Sequence, residues 1–257
     1  MRSTQRDKGP STVIGRAFTL LSAFRPDDTE VSLADLCRRT GISKTTAHRL
    51  LHELSTWDAV EQVGRGGWRL GMTMFELGQL APRQRGLREA AAPFLADLFQ
   101  ATQQTVHLAV PEGTDVVYVQ KLHGRGGPEV ASRIGGRMPA YCTGVGKAIL
   151  AFAPPDRLAA VLDAGLARRT PRTVIVPRLL TAELATVRER EYAEEHEEST
   201  VGIACVAAPI FATEDTPVAA VSITGWANRL DTNRFAPAVR TAALGITRTL
   251  RAGHPSP

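Results

Sequence analysis

The chain has 257 residues, of which 43% are hydrophobic and 22% charged, and a formal net charge of +5. That length admits two domains with separate cores, while three cysteines, odd in number and far apart, argue against a disulfide framework or a four-ligand zinc site. No run of about 18 apolar residues occurs, and the charged opening "MRSTQRDKGP" leads into no apolar segment, so membrane spanning and secretion are disfavoured and a cytoplasmic location is expected.

Charge is unevenly placed. Up to Arg85 there are 13 basic against 9 acidic residues, and 18 against 17 beyond it. The excess in the first third suits a module that meets a polyanion. Residues 1–10 are expected to form a disordered arm. From Ser11, Ile14, Ala17, Phe18 and Leu21 recur at helical spacing, and Pro26 with Asp27 is expected to end that helix. Ser32, three residues before Asp35, caps a second helix. Gly41 allows a tight turn, and Ser43 caps a third helix whose Ala47, Leu50, Leu51 and Leu54 face inward.

That third helix turns Lys44, Thr45, His48 and Arg49 outward. Helix, glycine turn and helix form a helix-turn-helix, whose second helix enters a major groove by its N-terminal residues. "AVEQVGRGGWRL" adds two extended runs around a glycine-rich turn with Arg65 at its tip, which reads as a wing. Ser43, Thr45 and Thr46 offer hydroxyls and Lys44 a charge for phosphates, Arg49 has the reach for a guanine edge, and the whole segment 11–71 is expected to be a DNA-binding domain.

The sequence resembles the IclR-type bacterial transcription regulators. The likeness runs through "VIGRAFTLLSAF", "SLADLCRRTGISKTTAHRLLHEL", "WRLGMTMFELGQLA", "RIGGRMPAYCTGVGKAIL" and "EEHEESTVGIACVAAPIF". It implies a winged helix-turn-helix joined to a C-terminal effector-binding domain. Residues 72–85 include Met74, Phe75, Leu77 and Leu80 on a short helix too apolar to stand alone in water. In such regulators the corresponding helix links the domains and helps form a dimer, so a homodimer or a dimer of dimers is expected.

Residues 86–257 read as an α+β domain. A helix from Leu87 to about Gln100 precedes two strands around "PEGT", helices follow from Gly144 and from Thr181 to Ala193, and a second strand pair flanks "TEDT" before a closing helix bearing Val239, Ala242, Ala243, Ile246 and Leu250. One antiparallel sheet with helices packed on it is the expected architecture. Gly144 to Gly146 open a helix with free amides, but Tyr141 and Ala148 occupy positions that a nucleotide loop would give to glycine and Ser/Thr. Lys147 is expected to be structural or solvated.

The resemblance implies an effector pocket lined by the amides at Gly144 and Val145, by Glu195, Cys205, Ser222 and Thr224, and by apolar Val130, Met138 and Ile203. Ser222 and Thr224, two apart on a strand, share a face. Two positions depart from the family pattern: Glu191 replaces a usual glycine, and Glu195 stands for a shorter aspartate. The rest of the acidic run from Glu189 to Glu198 is expected to be a solvated helix end. Effectors of the family are often small organic acids, including aromatic ones.

Other constellations fail. His48 and His52 lack a third metal ligand, His107 and His123 lack a catalytic partner, and no G-x-S-x-G occurs. Neither a metal, a cofactor nor a catalytic residue is expected. The leading expectation is a ligand-responsive repressor that binds double-stranded DNA as a dimer. An enzyme using Cys205 or Glu195, or an architectural protein that coats DNA without sequence preference, are the alternatives.

Overall fold

The computed structural model describes residues 12–252 except 26, 65, 81, 126, 129, 131 and 213–215. The expected arm at 1–10, the helix stop at Pro26 and the wing-tip Arg65 lie outside the described residues. Contacts divide the chain into two compact units, Met1–Pro82 and Arg83–Pro257. No described helix is long and apolar enough to cross a membrane.

Unit 1 runs α1 (Val13–Leu21), β1 (Val31–Ser32), α2 (Leu33–Thr40), α3 (Lys44–Ser55), β2 (Val60–Val63), β3 (Gly67–Leu70) and α4 (Met72–Gln79). The capping chemistry follows the sequence: Ser32 accepts from the Asp35 amide, Ser43 from the Thr46 amide, and Gly41 closes α2 in the left-handed region at φ 71°. Leu20, Leu36, Ala47, Leu50, Leu51, Val60 and Trp68 bury one another in a single core. Arg39 forks onto Asp28 at 2.5 and 2.9 Å and fastens α2 to the loop before it. The β2–β3 hairpin pairs Val60 with Leu70 and Val63 with Gly67, and β1 adds a third strand beside β3.

Two features of this unit leave apolar surface uncovered. First, α1 stops at Leu21 and inserts Leu20 into the core, while Ile14 and Phe18 of the apolar stripe are 71% and 62% exposed. The helix therefore has an apolar face that its own unit does not cover. Second, α4 buries no residue, and Met72, Phe75, Leu77 and Leu80 are all exposed.

Unit 2 begins with α5 (Pro82–Thr102), β4 (Thr105–Glu112), β5 (Asp115–Leu122), β6 (Arg137–Pro139) and α6 (Gly144–Ala151). It continues with α7 (Pro155–Ala164), α8 (Pro177–Arg190), β7 (Ala193–His196), β8 (Ile203–Phe211), β9 (Pro217–Trp226) and α9 (Thr232–Ala252). The six strands form one antiparallel sheet in the order β6-β5-β4-β9-β8-β7. Leu87, Leu95 and Leu98 of α5 and Val239, Ala243 and Ile246 of α9 pack with Val206, Ala208, Ile210, Val221 and Ile223. On the opposite face Val145, Ile149 and Leu150 of α6 and Leu180, Leu184 and Val187 of α8 pack with Cys205, Ala207 and Ala220. Alternate residues of β8 thus feed two cores, which explains why the strand is apolar throughout rather than alternating.

Helix α8 starts at Pro177 and ends at Arg190, earlier at both ends than expected. Proline's fixed φ suits a first helical turn, and Glu191 terminates the helix with φ 62°. Helix α7 was not expected: it buries only Val161, with Leu158 and Leu162 partly covered, which leaves a faint periodic signal.

Candidate functional site

Burial of Ala47, Leu50 and Leu51 fixes the rotation of α3, so Ser43, Lys44, Thr45, His48 and Arg49 stand exposed on its other side. Thr46 is half-buried, and Ser43 Oγ donates to its hydroxyl oxygen at 2.9 Å, which makes this pair part of the helix cap. The first turn holds no acidic residue, so the positive end of the helix dipole and Lys44 face solvent without a carboxylate nearby in the turn. The ring nitrogens of His48 and His52 lie 3.2 Å apart, and His52 meets the ring of Trp68 edge-on at 5.4 Å. Among the described residues no group of three or more His, Cys, Asp or Glu could hold a metal ion.

A cavity of about 30 Å³ lies in unit 2 between the sheet and the start of α6. Val130, Met138, Gly144, Glu195, Ile203, Cys205, Ser222 and Thr224 line it, as do His107, Tyr118, Ser132, Thr143, Ser199 and Thr200. Register brings the central groups together, since Cys205 pairs with both Glu195 and Thr224, and His107 pairs with Ser222. Gly144 permits the close approach of α6 to β8: a Cβ there would stand 2.8 Å from Cys205 Sγ. Gly146 presses on the preceding turn, where a Cβ would fall 2.1 Å from the Ala140 carbonyl oxygen. The side chain of Val145 does not line the cavity; it is buried in the core beneath α6.

Burial decides the protonation of these groups. The Glu195 carboxyl is 2% exposed, and burial pushes its pKa up to about 7 although Oε1 accepts the amides of Glu198 and Ser199 at 2.6 and 3.0 Å. The same cause pushes the Cys205 thiol up to about 12, leaving no thiolate nucleophile near neutral pH. His107 is driven down to about 3 by burial and is a neutral imidazole, 2.7 Å from Ser132 Oγ and 3.3 Å from Thr224 Oγ1. No lysine or arginine is among the described lining residues.

The sequence missed His107, Tyr118, Ser132, Thr143, Ser199 and Thr200. His107 was legible only with the pairing of β4 and β9, which places it opposite Ser222 across more than a hundred residues of chain. The expectation for the acidic run also needs correction. Glu198 is 7% exposed and pairs with Lys147, whose side chain is fully buried, and Glu194 is bonded to the Thr232 hydroxyl. These acids are at a strand and its following turn, not at a solvated helix end, because α8 has already stopped at Arg190.

One unit presents a cationic, hydroxyl-bearing helix beside a hairpin, and the other holds a small cavity bearing hydroxyls, a carboxyl and an imidazole, which defines a winged helix-turn-helix protein with a ligand-binding module. Residues 13–64 match the IclR helix-turn-helix domain and residues 80–248 match the bacterial transcriptional regulator IclR C-terminal domain, and the chain belongs to the IclR family of transcription regulators. The HTH-type transcriptional regulator XynR of Escherichia coli is 32% identical over 95% of this chain and 98% of its own. The transcriptional repressor IclR of the same organism is 31% identical over 90% and 87%. An IclR homolog from Microbacterium hydrocarbonoxydans, solved in complex with 4-hydroxybenzoate, has a TM-score of 0.86 at 28% identity, covering 94% of this chain and 100% of that one. The relatives are regulators, and this chain is a DNA-binding regulator with an effector domain rather than an enzyme.

Proposed function

We propose that the protein is a cytoplasmic repressor that binds a two-fold symmetric operator as a dimer, and that a small organic acid entering the cavity of unit 2 alters that binding. The observation that carries this reading is the pairing, in one chain, of an exposed α3 free of acidic residues in its first turn with a small cavity bearing hydroxyls, a carboxyl and the N-terminus of α6. Lys44 and the α3 cap face phosphates, and Arg49 reads a base edge. The complex of a relative with 4-hydroxybenzoate supports an aromatic acid as one class of effector. With about 30 Å³ of room, the cavity takes such a ring only if its wall moves, and a ligand that favours the opened arrangement shifts the population toward it.

Exposed apolar side chains on α1 and α4 support the dimer. For such a dimer the half-site centres lie roughly 34 Å, one helical turn, apart. Selection of binding sites from a randomised duplex pool at physiological salt tests the reading. Enrichment of a two-fold motif is expected, with Arg49→Ala relaxing base preference and Arg65→Ala weakening all sequences alike. A pool that stays unenriched, with and without candidate acids, would overturn it.

A further inference from the structure

Lys147 has no exposed side-chain surface, although it lies within the first turn of α6, whose opening residue Gly144 is part of the cavity wall. A buried ammonium persists only when it is paired and hydrogen-bonded. Its Nζ meets Glu183 of α8 at 2.6 Å and also Glu198, in the segment between β7 and β8. Yet Glu198 Oε2 is buried with no hydrogen-bond partner. An ion pair left incomplete in this way is a poor source of stability, since apolar replacements of buried pairs are often neutral or better.

The main chain of Glu198 gives the pair another use. Its amide and that of Ser199 hold Glu195 Oε1, and Ser199 and Thr200 form the cavity wall. From the other side, Thr170 donates to the Glu197 carbonyl at 2.6 Å and Thr173 to the Glu198 carbonyl at 2.8 Å. Segment 195–200 is thus gripped by α6, by the 170–173 turn and by its own carboxyl.

We propose that Lys147 is a positioning residue for the cavity: through Glu198 it fixes segment 198–200 against α6 and sets where Glu195, Ser199 and Thr200 stand on the wall. It does not line the cavity and acts only through Glu198. The device links α8, by way of Glu183, to the wall that a ligand must displace. Its use in regulation rests on the effector reading above, whereas the device itself does not.

The test needs no ligand. Full-length protein and the Lys147→Met, Lys147→Arg and Glu198→Gln variants are treated with methyl methanethiosulfonate, and modification of each cysteine is followed by peptide mass spectrometry. Cys205 lines the cavity, whereas Cys142, buried in the same core, is not among the lining residues. Lys147→Met is expected to speed Cys205 modification at least tenfold with Cys142 unchanged, and Lys147→Arg to restore the slow rate. Equal acceleration at both cysteines would reveal a merely structural lysine, and an unchanged Cys205 rate would equally overturn the proposal. If Lys147→Met does not fold, Glu198→Gln decides, because it keeps the shape and an acceptor oxygen while removing the charge that holds Lys147; a several-fold rise at Cys205 alone is expected, and none refutes it. A wrong effector reading shows differently, as DNA affinity that no acid alters while the two cysteines still respond unequally.

Discussion

At the scale of single residues, the cavity is a place where ionisation is suppressed. Glu195 is raised to about 7 by burial, so between the ordinary carboxyl range near 4.5 and about 7 the folded chain keeps a proton that the unfolded chain has lost. Stability therefore falls as pH rises through that window, the reverse of a salt-bridged acid. Glu195→Gln keeps an acceptor for the Glu198 and Ser199 amides and removes the ionisation. The variant should melt at the wild-type temperature near pH 4 and several degrees above it at pH 8. A difference independent of pH, measured by calorimetry, would contradict the assignment. These roles were only partly legible in the sequence. Strand alternation put Ser222 and Thr224 on one face, and the family likeness pointed to Glu195 and Cys205. Lys147 and Glu198, however, look like surface residues until tertiary pairing buries both, and no local pattern encodes a contact between positions 51 apart.

At the scale of elements, the punctuation of helices was the most legible layer, because capping is chemistry between near neighbours. Ser32, Gly41 and Ser43 each stand where an orphan amide or a left-handed turn requires them. The stripe of α1 marks the limit of that pattern: periodicity says that a face is apolar, not what covers it. Helix α8 provides the opposite lesson, since its C-terminus places Glu191 at φ 62°, in the conformation that explains the glycine of the family pattern. A side chain there costs about 1–2 kcal/mol, and the exposed Arg240 ion pair it makes returns little. Glu191→Gly is predicted to raise stability by about 0.5–1 kcal/mol. A urea midpoint that fails to rise would show that the contact with Arg240 outweighs the strain.

At the scale of the whole molecule, two units with separate cores place recognition and response in different parts of the chain. Phe75 and Leu77 on α4, each more than half exposed in a helix that buries nothing, need a covering surface, and a second copy is the partner proposed above. Phe75→Glu should weaken self-association at least tenfold in sedimentation equilibrium while leaving the melting of unit 2 unchanged. A variant that remains as associated as the wild type would place the dimer contact elsewhere. Charge, spacing and linker composition all change near residue 80 of the sequence, and contacts divide the chain after Pro82.

The order of strands bears on how the chain matures during synthesis. Unit 1 is complete within the first third of the polypeptide, whereas β4 waits for β9, as Thr105 pairs with Thr224. Such a long-range pairing forms slowly and late, and domains made first fold first on the ribosome. A nascent chain therefore owns its grip on nucleic acid long before it owns a cavity, and a prematurely truncated product would be a reader deaf to any signal.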